Sequence, residues 1–503
     1  MPLKIAMIGA GSVGFTRRLM TDLLTVPEFA DTHFALMDIS ARNLSMVAQL
    51  CERDIKANGS PASVTSTLDR REAIADADYV ICMIRQGGLN AFALDIDIPL
   101  KYGVDQCVGD TICAGGIMYG QRTIPALLDI CRDIKAVAKP GALFLNYSNP
   151  MAMNTWACNK YGGVQTIGLC HGVQGGHRQI AKVIEHWARG EGLIAADEQV
   201  TREDVDIICA GINHQTWYVQ VQWRGMDMLP RLLEMFEAHP EYRDEEKVRI
   251  DVLRRFGYYS TESNGHLSEY VPWYRKRPAE IKDWINLNRW ILGETGGYLR
   301  VCTEGRNWFE TDFPNWLAEE PPQFCAEDRS DEHGSYIIEG LETGRVYRGH
   351  FNVPNRGYIS NLPDGCVVEI PGYVDKNGIN MPVIGDLPLA PAATCSASVR
   401  VQEMAMEAAA HGDVTLLKQA MLHDPLVGAV CNPEEVWQMT DELLVAQAEW
   451  LPNYASEEIE AARARLAAHE RQGTRVMLSA SAGAARLHTR TVEELAAERA
   501  GAD

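Results

Sequence analysis

The chain opens on an apolar run, Leu3-Lys4-Ile5-Ala6-Met7-Ile8, that passes directly into Gly9-Ala10-Gly11-Ser12-Val13-Gly14. A strand that feeds Gly-x-Gly-x-x-Gly and opens a helix is the start of a dinucleotide-binding βαβ unit. In such a unit Gly9 allows the tight turn, Gly11 lets backbone approach a pyrophosphate, and Gly14 lets helix and strand pack closely. With Ser12 and Val13 these residues are expected to cradle the cofactor, its phosphates facing the free N–H groups of the helix N-terminus. His33 to Asp38 reads as the second strand and ends on an acid. Asp38 stands where a ribose-binding carboxylate belongs; it accepts from ribose hydroxyls and repels a 2′-phosphate, so NAD is expected rather than NADP. A glycine-rich turn without a cofactor would carry the same glycines. The strand, the helix and the acid around them are what favour the cofactor.

The alternation continues. Residues 12–26, 41–57 and 120–138 read as helices, and 77–84, 142–147 and 165–170 as strands. This pattern predicts an α/β fold, a Rossmann-like doubly wound parallel sheet of the lactate/malate dehydrogenase kind, with functional residues at the carboxyl ends of strands. Beyond about residue 200 the pattern is mixed, with strands over 205–210, 218–223 and 367–371 and helix over 398–452. The expected organisation is an NAD-binding domain over 1–200, an α+β domain for substrate, metal and oligomerisation over 201–455, and a helical extension over 456–503. The last few residues are expected to be loose.

The formal net charge of −21 argues against nucleic acid or an anionic membrane as partner, though not against a locally basic pocket. Thirteen cysteines without a CxxC pair fit a reducing cytoplasm. No signal-peptide pattern and no membrane-length apolar stretch is visible, so a cytoplasmic protein is expected.

Several strand ends carry reactive groups. Cys170-His171 follows one strand and Asn213-His214 another; a thiolate and an imidazole so placed can share a divalent ion, although a buried Cys and hydrogen-bonded His residues fit the same spacing. Asn149, before Pro150, suits sugar hydroxyls or a turn. Asp110 can bind metal, act as an acid or cap the next helix. Residues 258–270 are dense in titratable groups, including Glu262 and His266, and fit either a site or a tyrosine-rich rim.

Together these motifs resemble glycoside hydrolase family 4, the NAD- and divalent-metal-dependent glycosidases, and among them the α-galactosidases. The resemblance covers roughly residues 3–453. It rests on IGAGSVGF at 8–15, LMDIS around Asp38, GGIMYGQRTIP at 115–125, LNYSNPMAMNTWA at 145–157, GLCHGVQG at 168–175 and AGINHQTWY at 210–218. It continues through FGYYSTESNGHLSEYVPWY at 256–274 and NLPDGCVVEIPGYVDKNGI at 361–379. The resemblance implies Cys170 and His214 as ligands of a metal, usually manganese, and Asn149 as a substrate-binding residue. It implies His171 as an acid near C3 or the leaving oxygen. The catalytic base maps to 258–266, His266 first and Glu262 second. A Cys-His pair at 170–171 marks enzymes of non-phosphorylated sugars. The implied assembly is a homodimer or homotetramer.

The implied reaction borrows a hydride from C3 of the glycone, removes the C2 proton, expels the aglycone, adds water and returns the hydride, in contrast to two-carboxylate glycosidases. Two departures from the α-galactosidase pattern, Gly172 and Arg85, raise α-glucuronide, α-galacturonide or α-glucoside as alternative substrates, because an arginine suits a sugar carboxylate. The competing class is a plain NAD-dependent sugar or hydroxy-acid dehydrogenase, for which a metal thiolate would be superfluous.

Overall fold

The computed structural model describes residues 2–476 and 483–500. Six strands form its parallel half: β1 (Lys4–Ile8), β2 (His33–Met37), β3 (Ser63–Thr67), β4 (Tyr79–Cys82), β5 (Leu143–Asn146) and β6 (Thr166–Gly168), in the order β3-β2-β1-β4-β5-β6. This is the doubly wound order, and its switch point lies between β1 and β4, beside the glycine turn. β1, β4 and β5 are buried almost throughout, as strands covered by helices on both faces must be. β3 has exposed and half-exposed residues only, which suits an edge strand and explains why no apolar run announced it.

The sheet does not stop at β6. β7 (Val205–Ile212), β8 (Gln215–Trp223), β9 (Met226–Asp227), β10 (Tyr259–Ser260), β11 (Tyr347–Pro354), β12 (Val367–Asp375) and β13 (Gly378–Asn380) extend it. The order continues β6-β11-β12-β7-β8-β10, every one of these pairs antiparallel. One row of partners crosses the middle of the sheet: Gly168 faces Asn352, Asn352 faces Glu369, and Glu369 faces Gly211. That row precedes Cys170 by two residues and His214 by three, and so brings two strand ends far apart in sequence to one place.

The region expected as helix over 398–452 resolves into Leu389–His411, Val414–His423, Pro425–Val430 and Pro433–Ala446. The breaks have local causes. Gly412 takes φ +69° at a helix C-terminus; Asp413 caps the next helix through Leu416 N; Asp424 caps before Pro425; and Asn432 forms a capping box with Glu435 before Pro433. Terminal helices Ser456–Gln472 and Val492–Ala500 follow. The expectation for the last few residues falls in part on 501–503, outside the described residues. All thirteen cysteines are free thiols. No helix among the described residues is long and apolar enough to cross a membrane.

Candidate active site

A cleft of about 430 Å³ opens at the carboxyl ends of β5, β6 and β7, lined by Phe15, Asp110, Asn149, Cys170, His171, His214, Glu262 and His266 among others. Helix Val13–Leu24 points its N-terminus toward this side of the sheet. Among the described residues nothing caps its first turn: Ser12 makes no side-chain cap, and no acid stands there. Gly9 has φ +86°, and a Cβ on it would meet the Met83 carbonyl carbon at 2.9 Å. Gly11 is held to glycine by a further contact, and Gly14 does not make the one expected of it. Gly11 is packed against Asp38, where a Cβ would lie 2.8 Å from the carboxylate oxygen that accepts from Gly11 N. Gly14 is not pressed against a strand; a Cβ there would meet nothing within 4 Å among the described residues. The helix N-terminus therefore faces open space with its N–H groups available, a cradle that fits a pyrophosphate. The other oxygen of Asp38 accepts from Ser40 N at 2.8 Å, so two backbone donors hold the carboxylate in place.

At the turn between β7 and β8 His214 adopts φ +62°, uncommon for a residue with a side chain. Its Nδ1 lies 2.7 Å from Thr111 Oγ1, and that hydroxyl donates to Asp110 Oδ1 at 2.9 Å. Having given its proton to Asp110, Thr111 accepts from Nδ1–H, which leaves a lone pair on Nε2. Nε2 faces Glu262 Oε2 at 3.5 Å. Burial lowers the His214 pKa, against the pull of Glu262. A neutral nitrogen and a carboxylate facing each other without a proton between them suit a cation. Cys170 Sγ, a ring nitrogen of His214 and a Glu262 oxygen all lie within 4.8 Å of one another. This S, N, O donor set fits a borderline divalent ion such as zinc, and its carboxylate and imidazole also suit the harder manganese. The Cys170 thiol is pushed well up, first by burial and then by Glu369 and Glu262, so binding a cation there releases its proton.

A second group shares His214: Asp110, His214 and His266 also have ligating atoms within 4.8 Å. His266 Nδ1 sits 2.8 Å from Glu262 Oε1, and Nε2, 3.7 Å from Asp110, has no hydrogen-bond partner among the described residues. Burial works against the charged ring, but Glu262 and Asp110 overcome it and raise the His266 pKa well above its ordinary value. Conversely, burial would raise Asp110, yet His266, with His214 and Arg85, holds it down to about 2. Asp110 does not cap helix Cys113–Val137; it accepts from Thr111 Oγ1 and, at 2.8 Å, from Asn149 Nδ2. The rings of His214, His266 and Tyr270 stack in one pile.

His171 is placed at the rim. It is the N-cap of helix Gly172–Gly190, its side chain is 62% exposed, and Nδ1 is 3.8 Å from Glu332. Arg85 is not among the residues lining the cleft; its guanidinium lies 4.4, 4.9 and 5.3 Å from the ring centres of Phe92, Tyr119 and the cleft-lining Tyr298. Among the described residues no hydrogen bond or ion pair engages its side chain. The sequence reading missed three supporting residues. Thr111 fixes His214. Glu269, on the same helix as His266, accepts from Cys107 N, Val108 N and Gly109 N and so shapes the loop that ends at Asp110. Glu369, pushed up to about 7 by burial, accepts from Asn213 and Thr216 behind the turn. Only the fold brings these to the site; a lone Thr or Glu carries no signal in the chain.

The chain belongs to the family 4 glycosyl hydrolases: the profile of that family matches residues 4–186, and the profile of its C-terminal domain matches residues 209–427. An α-galactosidase from Rhizobium meliloti is 58% identical over 99% of this chain and 98% of its own length. An α-galactosidase from Bacillus subtilis is 34% identical over 90% of this chain and 99% of its own. In fold, the chain superimposes with a TM-score of 0.68, at 22% identity, on the 6-phospho-β-glucosidase of Thermotoga maritima solved with manganese, NAD+ and glucose-6-phosphate, covering 89% of this chain and 99% of that one.

Proposed function

We propose that the protein hydrolyses α-galactosides of non-phosphorylated sugars with NAD and a divalent cation, manganese by preference, as resident cofactors. The observation that carries the reading is the Cys170, His214 and Glu262 donor set in a cleft beside an uncapped, glycine-lined helix N-terminus. The identity to two α-galactosidases supports the choice of sugar. When bound, the nicotinamide supplies a reversible hydride acceptor and the cation a Lewis acid.

The residues of the chain divide the remaining work. Gly9, Gly11, Ser12, Val13 and Gly14 form the phosphate cradle, and Asp38 faces the ribose. Cys170 and His214 hold the cation, and Glu262 closes their donor set. Asn149 and Asp110, bonded to each other, orient sugar hydroxyls. With the charge of Glu262 shared with a bound cation, a neutral His266 would take and return the proton at C2, its Nδ1 anchored on Glu262 and its buried Nε2 without a hydrogen-bond partner among the described residues. His171 serves the leaving group at the rim. The same reading makes the substrate a small glycoside and the assembly a homodimer or homotetramer, which light scattering tests against the 55.8 kDa chain.

The deciding experiment incubates the enzyme with NAD, Mn2+, a mild reductant and p-nitrophenyl α-galactoside. Nitrophenol must appear while NADH does not accumulate; stoichiometric NADH without nitrophenol would make the protein a dehydrogenase and overturn the reading. A second reading, an α-galacturonide or α-glucuronide substrate, is favoured by Arg85 alone, a guanidinium without a carboxylate partner among the described residues. Its check is the Arg85→Gln variant on both substrate classes: loss confined to uronides would support it.

A further inference from the structure

The outer wall of the cleft is built by the short helix Trp290–Leu292 and by Tyr298, near the start of helix Gly297–Ala318. Trp290 and Tyr298 stack with ring centres 5.0 Å apart. Tyr298 also covers Arg85, together with Phe92 of helix Gly88–Lys101. The link within this wall, Gly293 to Gly296, is tied from behind to the C-terminal part of the chain. Thr295 N donates to Ala485 O at 3.0 Å, and Ala485 N donates back to Thr295 Oγ1 at 3.2 Å. Ala484 N donates to Asp105 Oδ2 at 2.9 Å.

Asp105 is 2% exposed and pairs with Arg275, which is 0% exposed and donates in turn to Gly293 O at 3.0 Å. Thr295 Oγ1 also donates to both Asp105 oxygens at 2.9 Å, so losing Ala484 N would leave Oδ2 with that hydroxyl alone, and the tail is part of this network. Ala485 packs against Ile281 and Ile285. On either side, Arg486 pairs with Asp97 of helix Gly88–Lys101 at 2.6 Å, and Arg490 pairs with Glu304 of helix Gly297–Ala318 at 2.7 Å. The segment thus joins, on their outer side, the two helices whose Phe92 and Tyr298 enclose Arg85. It lies beyond residue 427, where the match to the C-terminal family profile ends.

We propose that residues 483–490 are a strap that sets the position of the Trp290–Tyr298 wall and of the aromatic enclosure around Arg85, making the C-terminal extension a specificity-determining element. The proposal rests on the cleft being the glycoside site. The proton-carrying and cation-binding residues stand on other elements, so a slack wall weakens the grip on the sugar more than it disturbs the chemistry. A chain ending at Val476 is expected to raise KM for p-nitrophenyl α-galactoside about tenfold while kcat changes less than about threefold, the scale on which small misplacements of binding groups act. The double variant Arg486→Ala/Arg490→Ala, which keeps the buried donors, should move KM in the same direction by a smaller factor.

Trp290 emission, read as the difference between each protein and its Trp290→Phe counterpart, should shift with KM. A truncated chain with unchanged KM and unchanged Trp290 emission overturns the strap. So does a fall in kcat at constant KM. If the truncated chain does not fold, the double variant decides by the same two readouts. If the full-length chain releases no nitrophenol, the site reading fails instead, and the strap stands or falls on Trp290 emission.

Discussion

His214 shows how one residue is made into a ligand. Its left-handed backbone aims the ring into the cleft, and Thr111 settles which nitrogen carries the proton. The hydroxyl passes its own hydrogen to Asp110, so Nε2 is the nitrogen left with a lone pair. Thr111→Val keeps the shape and removes this control. It should weaken Mn2+ binding about 10- to 100-fold, the usual cost of losing the partner behind a metal-bound histidine, with circular dichroism unchanged. Titration followed by the electron spin resonance of free Mn2+ measures it, and equal affinities would show that the hydroxyl has no such role. The Asn213-His214 turn was legible in the sequence as a polar strand end, but Thr111 was not, because its partner lies 103 residues away and no local pattern joins them.

Among the elements, helix Gly172–Gly190 carries His171 at its start and lies close on β8. A Cβ on Gly176 would sit 2.4 Å from Tyr218 Oη, whose hydroxyl donates to Val173 O at 2.6 Å. Gly176→Ala must push the tyrosine or the helix aside, an overpacking expected to cost about 1–3 kcal/mol. Thermal unfolding should show a lower Tm, and an unchanged Tm would mean the helix moves freely. Legibility at this scale was uneven. The early strands announced themselves as apolar runs, whereas β11 and the exposed β3 did not. The breaks at Gly412, Asp424-Pro425 and Asn432-Pro433 are written in plain capping residues, although the sequence expectation is only of helical structure over 398–452 with no breaks placed.

At the scale of the whole molecule, buried carboxyls link the halves of the sequence. Asp424, 1% exposed, accepts from Cys113 N at 2.7 Å and from Leu426 N and Val427 N at 3.0 Å each, so one side chain holds the starts of two helices. Burial outweighs these donors and raises its carboxyl from 3.8 to about 6. The folded chain therefore keeps a proton that the unfolded chain releases between those values. The stabilisation from this proton is complete below 3.8 and is lost as pH rises through 6, about 3 kcal/mol in all. Asp424→Asn lacks this term. The Tm advantage of the wild type over the variant should therefore shrink between pH 4 and pH 7; parallel curves would contradict the assignment.

The sequence by itself determined the glycine turn, Asp38, the parallel half of the sheet apart from its edge strand β3, the family, and the separate strand ends that carry Asn149, Cys170 and His214, because each is a local signal of period, glycine or motif. Only the tertiary structure decided what those ends do together. The antiparallel row Gly168, Asn352, Glu369, Gly211 brings Cys170 beside His214. Glu262 arrives as the third donor from a loop with no spacing rule to either. Asp110 proved to be a partner of Asn149 and not a helix cap. Gly14 proved to face open space and not a strand. In each case the deciding contact joins residues distant in sequence, and its chemistry depends on distances of a few ångströms that no local pattern encodes.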